Sequence, residues 1–168
     1  MNLLATATRS DRATENSRQY LVFSLGSEEY GIEITHVQEI KSLAHVAPIP
    51  NAPEYVKGVL NLRGTIIPIV DLRLRFSMPP RAYDRFTVII VVAVEEKQVG
   101  LVVDCVSDVL DIAMDDIDDS PPLADDLDVS WFCGVGKPDA RLVFLLDVFH
   151  LTRTKVVSDS ERLTQCSN

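Results

Sequence analysis

Few residues in this chain have the type and spacing that chemistry requires. His36, His45 and His150 are dispersed and show no partner pattern of the kind that makes an imidazole a general base. Cys105, Cys133 and Cys166 are scattered and odd in number, with no Cys-x-x-Cys pair, so neither a disulfide framework nor a zinc site is implied. The first two are expected to be buried thiols acting as small hydrophobes. The chain lacks Gly-x-Ser-x-Gly, a phosphate-binding glycine loop and His-Glu-x-x-His. Gly134-Val135-Gly136 begins like a dinucleotide fingerprint, but the third glycine and the following helix are missing. The acidic runs Asp115-Asp116-Ile117-Asp118-Asp119 and Asp125-Asp126-Leu127-Asp128 invite a calcium reading. A calcium loop needs oxygens at alternating positions, a central glycine and a terminal glutamate, and none of that order is present. A solvated acidic loop, able to select a basic partner face, is the simpler expectation. No catalytic residue, metal or cofactor is expected.

Arg63 stands apart. It lies in Gly58-Val59-Leu60-Asn61-Leu62-Arg63-Gly64-Thr65-Ile66-Ile67-Pro68, a cation between apolar strand residues. One reading is a polar turn that happens to contain arginine. The other is an interface anchor, because the guanidinium is a planar fork of donors and arginine is enriched at binding hot spots. Asn61 and Gly64 suit tight turn geometry and would present it from a fixed position.

The elements that must position these residues are mostly short strands. Strands are expected at Tyr20–Leu25 and Glu29–Ile34, forming a hairpin around Gly26-Ser27, and again at Gly58–Leu62 and Thr65–Leu72. Thr35 and Gln38 fit a capping box, predicting a short helix over His36–Lys41. Further strands are expected at Phe86–Val94, Gln98–Val103, Phe132–Val135 and Arg141–Leu146, with Asp104 capping a helix through Leu110 and a last helix from about Asp147. The organisation expected is a disordered tail over 1–18 and one folded unit over 19–157. Its first barrel would take about 19–84, its second about 85–146 and a C-terminal helix about 147–157, before a flexible tail over 158–168.

The two halves repeat. At an offset of 69 residues, the distance from Gly31 to Gly100, Leu21-Val22-Phe23 falls on Ile90-Val91-Val92, and Val37, Glu39 and Ile40 fall on Val106, Asp108 and Val109. At an offset of 76, the distance from Asp71 to Asp147, Ile66–Leu72 falls on Leu142–Val148 and Gly58-Val59 on Gly134-Val135. Chance likeness between Val- and Ile-rich hairpins is the competing account. A duplicated unit explains why glycines, acids and apolar residues agree together. Each copy alone would be marginal, and pairing them creates a shared core and a groove along the seam.

Composition narrows the partners. Hydrophobic residues make up 46% of the 168, yet the longest apolar run, Val88–Val94, is far too short to span a bilayer. The N-terminal residues lack the layout of a secretory signal, so a cytoplasmic location is expected. A formal net charge of −9 argues against nucleic acid and anionic membrane as partners.

In its motifs the sequence resembles the CheW family. The likeness rests on Leu21–Ile32, Val37-Gln38-Glu39-Ile40, Lys57–Gly64, Ile67–Leu72 and Val103–Leu110, and it spans Gln19 to about Val156. It implies a mainly β fold of two SH3-like five-stranded β-barrels in a pseudo-twofold relation, with short helices. It also implies a non-catalytic adaptor that bridges the cytoplasmic tips of methyl-accepting chemoreceptors and the regulatory domain of the histidine kinase CheA, recruited to receptor arrays at the inner face of the membrane without inserting in it. By matching positions, Arg63, Glu39, Ile34, Ile40 and Val88 would meet the receptor. Val37 and Gly58 would meet the kinase, with a second kinase contact near Asp118 and Leu123. A CheW-like adaptor of a non-chemotactic kinase cascade is the alternative, and a metal-dependent hydrolase a remote one. Some two-domain relatives append a phospho-acceptor receiver; the given sequence stops at Asn168, and none is expected.

Overall fold

A computed structural model describes residues 16–119 and 131–152. The first half folds as β1 (Ser17–Leu25), β2 (Glu28–Glu33), β3 (Val37–Ser42), β4 (Val56–Leu62), β5 (Thr65–Asp71) and a single-turn helix α1 (Leu72–Arg75). The second half gives β6 (Val88–Val94), β7 (Lys97–Val103), β8 (Cys105–Ala113), β9 (Ile117–Asp118), β10 (Phe132–Gly136), β11 (Val143–Leu146) and α2 (Val148–Thr152).

The strands form two sheets, ordered β3-β6-β7-β5-β4 and β8-β1-β2-β11-β10-β9. The orders are the same under the sequence repeat, β9 being an addition. Registers agree as well. Ile69 lies opposite Gly100 on β7, as Leu145 lies opposite Gly31 on β2. Ile40 faces Ile90, as Val109 faces Leu21. Gly58 pairs with Ile69, as Gly134 pairs with Leu145. Pairing that tracks both offsets residue by residue is duplication, not chance.

The division at 84/85 does not separate the two sheets. Hairpin β1–β2 joins strands of the second half, and hairpin β6–β7 joins strands of the first, so each barrel is composite. The physical reason is the shared core. In β6, Ile89 and Val91 point into one barrel interior with Leu60, Leu62, Ile67, Ile69 and Val102, while Ile90 and Val92 point the other way. That opposite face packs with Leu21, Phe23, Leu25, Ile32 and Leu146 into the largest cluster, which lies between the sheets. The other interior holds Tyr20, Val22, Ile112, Val143 and Leu145. Strands buried on both faces read as unbroken apolar runs, which accounts for Val88–Val94.

Two predicted helices are strands. Residues Ile34–His36 make one 3-10 turn, after which Val37–Ser42 alternates half-buried and exposed along β6. Gln38, expected to close a capping box, instead accepts from the Gln98 side chain. After Asp104 the chain continues as β8, paired along β1. In both places a short polar residue looked like a helix cap, but long-range pairing to a buried strand prevailed. The N-terminal tail is also shorter than expected. Strand β1 begins at Ser17, and Asn16 accepts from Met114 N at 2.8 Å. Asp147 does cap α2, accepting from His150 N at 3.2 Å. The tail over 1–15, the second acidic run and everything from 153 onward lie outside the described residues.

Candidate functional site

Arg63 and Gly64 form the two-residue connection between β4 and β5, with φ of 52° and 89°. Positive φ at both central residues makes the type I′ turn that matches strand twist. Asn61 Oδ1 accepts from Gly64 N at 2.9 Å and fixes the turn. The Arg63 side chain is 78% exposed, so it stands at the tip of a rigid hairpin. Its Nη2 donates to Glu39 Oε2 at 2.6 Å. Arg63 and Glu39, expected to face a partner separately, are therefore paired with each other.

That pair closes a seam. Strands β3 and β4 are the two ends of their sheet, and Glu39 sits on β3 while Arg63 caps β4. A second closure is the bridge between Ala47 and Val59, with both backbone hydrogen bonds at 2.9 Å. The other barrel has counterparts: β9 on β10, and Arg141 donating to Asp108 and to Glu29. These ion pairs hold the Arg141 pKa above its ordinary value, its hydrogen bond to Glu29 contributing most. The Arg141–Asp108 pair escaped the sequence reading, although Asp108 already aligned with Glu39 in the repeat.

The structure gathers the remaining receptor-facing candidates along the same edge. Ile40 neighbours Glu39 on β3 and is 47% exposed. Val88 opens β6 opposite Ser42, two residues on from Ile40. Ile34 lies in the turn before β3 and Val37 opens that strand, both half-buried against the shared core.

Gly58 behaves differently from expectation. It is buried at φ 143°, and a Cβ there would fall 2.0 Å from Ala47 O and 2.9 Å from Pro48 Cα. The close approach that requires glycine is made by the chain's own backbone, not by a partner. Asp118 lies exposed in β9 beside Val135, and Leu123 lies outside the described residues.

Little here supports chemistry. Gly134 and Gly136 lie within β10, where a side chain would press on Asp118 O and Ile112, so they serve packing. Neither described cysteine is buried as expected: Cys105 is half-buried and Cys133 exposed. Partial desolvation of the Cys133 thiol and the nearby Asp147 charge push its pKa up to about 11, which keeps it a neutral thiol at physiological pH. Among the described residues, no three His, Cys, Asp or Glu side chains converge as a metal site would need. Nor is any described helix long and apolar enough to cross a membrane.

A twinned, hairpin-exchanged pair of barrels with Arg63 at a seam turn narrows the family, and residues 19–156 match the CheW-like domain. The chain belongs to the CheW family. It is 43% identical over 143 residues to the Chemotaxis protein CheW of Klebsiella aerogenes, covering 84% of this chain and 86% of that protein. With the Chemotaxis protein CheW of Rhizobium meliloti it shares 38% identity over 135 residues, covering 80% and 87%. The crystal structure of the scaffolding protein TtCheW from Thermoanaerobacter tengcongensis superposes with a TM-score of 0.73 at 34% identity, covering 77% of this chain and 88% of that one. The CheW fold of two SH3-like barrels is thus the fold of this chain.

Proposed function

We propose that this CheW-family chain is a non-catalytic chemotaxis adaptor. It couples the cytoplasmic tips of methyl-accepting chemoreceptors to the regulatory domain of the histidine kinase CheA, working in the cytoplasm at receptor arrays. The observation that carries this reading is Arg63, a 78% exposed guanidinium on a type I′ turn, paired to the edge strand that also carries exposed Ile40. Of its five N–H donors, the structure commits one to Glu39, leaving the others for a carboxylate on a helical tip. Ile40, with Val88 and Ile34 behind it, offers the aliphatic side of that contact, in the helix-in-groove mode. The kinase domain would dock on the flank of the composite barrel carrying Val37 and the strand around Gly58, with its second contact near Asp118 and Leu123. Holding both partners on one rigid body makes their encounter local, and receptor state then biases the kinase population.

Arg63→Ala should weaken binding of a soluble receptor cytoplasmic fragment by about 1–3 kcal/mol, the range of a truncated interface anchor. CheA binding should hardly change. An unchanged receptor affinity, or equal loss for both partners, would overturn the reading.

A further inference from the structure

Large exposed apolar residues are few among the described ones, and two of them, Tyr83 (41% exposed) and Phe86 (53%), sit on the connection between the halves. Phe86 is held rigidly. Thr87 N donates to Asp84 O at 3.2 Å, Phe86 N to Asp84 Oδ1 at 2.8 Å, and Asp84 N to Thr87 Oγ1 at 3.0 Å. Three hydrogen bonds across four residues make a clamped β-turn with Arg85 and Phe86 at its tip. Tyr83 is tethered too, its hydroxyl donating to Asp71 Oδ2 at 2.7 Å.

Each ring carries a cation. The Arg85 guanidinium lies 4.8 Å from the Phe86 ring centre, and Lys57 Nζ lies 5.8 Å from that of Tyr83. Among the described residues neither cation is in an ion pair, whereas nearby Arg81 is shared between Asp84 and Asp104. The chain has 25 acids and 16 bases, so two unpaired cations over exposed rings are a local inversion of its field. A rigid aromatic with a loosely engaged cation is the composition of an interface anchor. The net charge of −9 opposes approach to an anionic bilayer, which leaves a protein segment bearing carboxylates.

The patch is continuous with the receptor edge. Phe86 lies two residues before Val88, and the strand that follows pairs Val88 with Ser42, Ile89 with Lys41 and Ile90 with Ile40. We infer that Arg85 and Phe86, on their clamped turn beside tethered Tyr83, form a second anchor for the receptor tip, taking a carboxylate beside an aliphatic side chain of its helix. This inference rests on the receptor reading above and adds residues that fix which helical tips bind well.

The test uses the full chain with Phe86→Ser and Arg85→Glu, and with Arg63→Ala as reference. Titration against the soluble receptor fragment should show each patch variant binding about 5- to 20-fold more weakly at low salt. The Arg85→Glu loss should shrink as salt rises while the Phe86→Ser loss persists. CheA binding and the thermal midpoint should stay at wild-type values, because both side chains are exposed. Wild-type receptor affinity in both variants, with Arg63→Ala weakened, overturns the anchor and leaves the receptor reading standing. A loss of CheA binding instead, or loss of co-sedimentation with phosphatidylglycerol vesicles, assigns the patch to another partner and also overturns it. If Arg63→Ala binds normally while Phe86→Ser does not, the anchor holds and the Arg63 reading falls.

Discussion

Removing the Asp104 carboxylate should loosen the whole molecule more than any surface ion pair would. Asp104 sits where β7 passes into β8 and accepts from Gly26 N in the β1–β2 turn at 2.8 Å. It also takes Arg73 Nε at 2.8 Å and Nη2 at 2.7 Å from α1, with Arg81 Nη1 at 3.4 Å. One carboxylate thus ties together three connections from both halves of the chain. The Arg73 and Asp104 side chains are only 12% and 14% exposed, so a variant leaves a nearly buried guanidinium without its counter-charge. Hydrogen bonds to a charged group contribute about 1.5–3 kcal/mol each, and they are not additive within one network. About 3 kcal/mol is expected for Asp104→Asn, with Arg73 Nη1 still donating to Pro79 O at 2.9 Å to limit the damage. That corresponds to a fall of roughly 6–12 °C in thermal midpoint. Burial works against the ionised carboxyl, but the Arg73 and Gly26 hydrogen bonds and the Arg73 and Arg81 charges outweigh it and hold the pKa below its ordinary value. A depressed folded pKa means the stabilisation is complete above the unfolded carboxylate range near about 3.9 and is lost as pH falls through the folded value. Urea midpoints of wild type and Asp104→Asn should therefore differ by a constant amount from about pH 7 to 5 and converge in stronger acid. A difference below about 1 kcal/mol at neutral pH, the size of an exposed pair, would refute the reasoning.

Other expectations follow from the same packing. A Cβ at Gly100 would fall 2.5 Å from Ile69 Cδ1 and 2.9 Å from Ile89 Cγ2, while at Gly31 the nearest atoms are at 3.1 Å. Gly100→Ala should cost about 1–3 kcal/mol and Gly31→Ala less, with the reverse order of urea midpoints counting against the close packing of Ile69 over Gly100. Ala140 and Glu95 hold φ of 65° and 58°, so Ala140→Gly and Glu95→Gly should each raise stability by about 0.5–1 kcal/mol, read as a higher thermal midpoint. Gly58→Asp should lower the thermal midpoint and weaken receptor and kinase binding together. Selective kinase loss in a variant of wild-type stability would return Gly58 to a partner-facing role.

What the sequence made legible followed from local pattern and from repetition. The hairpins, the Arg63-Gly64 turn and the duplication were readable because glycine and apolar positions recur at fixed offsets. The exchange of hairpins was not, since nothing local to Leu21–Leu25 says whether it will pair with β8 or with β3. Strands β3 and β8 were mistaken for helices for a related reason. Each has one exposed face and follows a residue able to cap, and only their partners β6 and β1 decide the matter. Gly58 was legible as a position needing glycine but not as one covered by Ala47, a contact eleven residues away in sequence. Arg63 and Glu39 were both singled out, but their mutual pairing depends on a seam that exists only once the barrel closes.

The two barrels share their turn geometry but not its charge. Arg63-Gly64 has φ of 52° and 89°, and its counterpart Asp139-Ala140, at the offset of the repeat, has 48° and 65°. Both tips thus hold two consecutive residues at positive φ, the first carrying a guanidinium and the second a carboxylate, although the second lies in a longer connection with a 3-10 turn over Pro138–Ala140. Behind them the seam pairs keep the same polarity, with Arg141 reaching Asp108 from the flank of the hairpin rather than from its tip. A partner whose carboxylate meets Arg63 favourably would meet repulsion at Asp139, and that difference discriminates more strongly than shape where the shapes agree. A duplicated scaffold with two like surfaces would bind one kind of partner twice. The charge at the two tips is therefore what distinguishes them, and exchanging Arg63 with Asp139 should carry receptor preference with the arginine, as competition binding between the two single-tip variants would reveal.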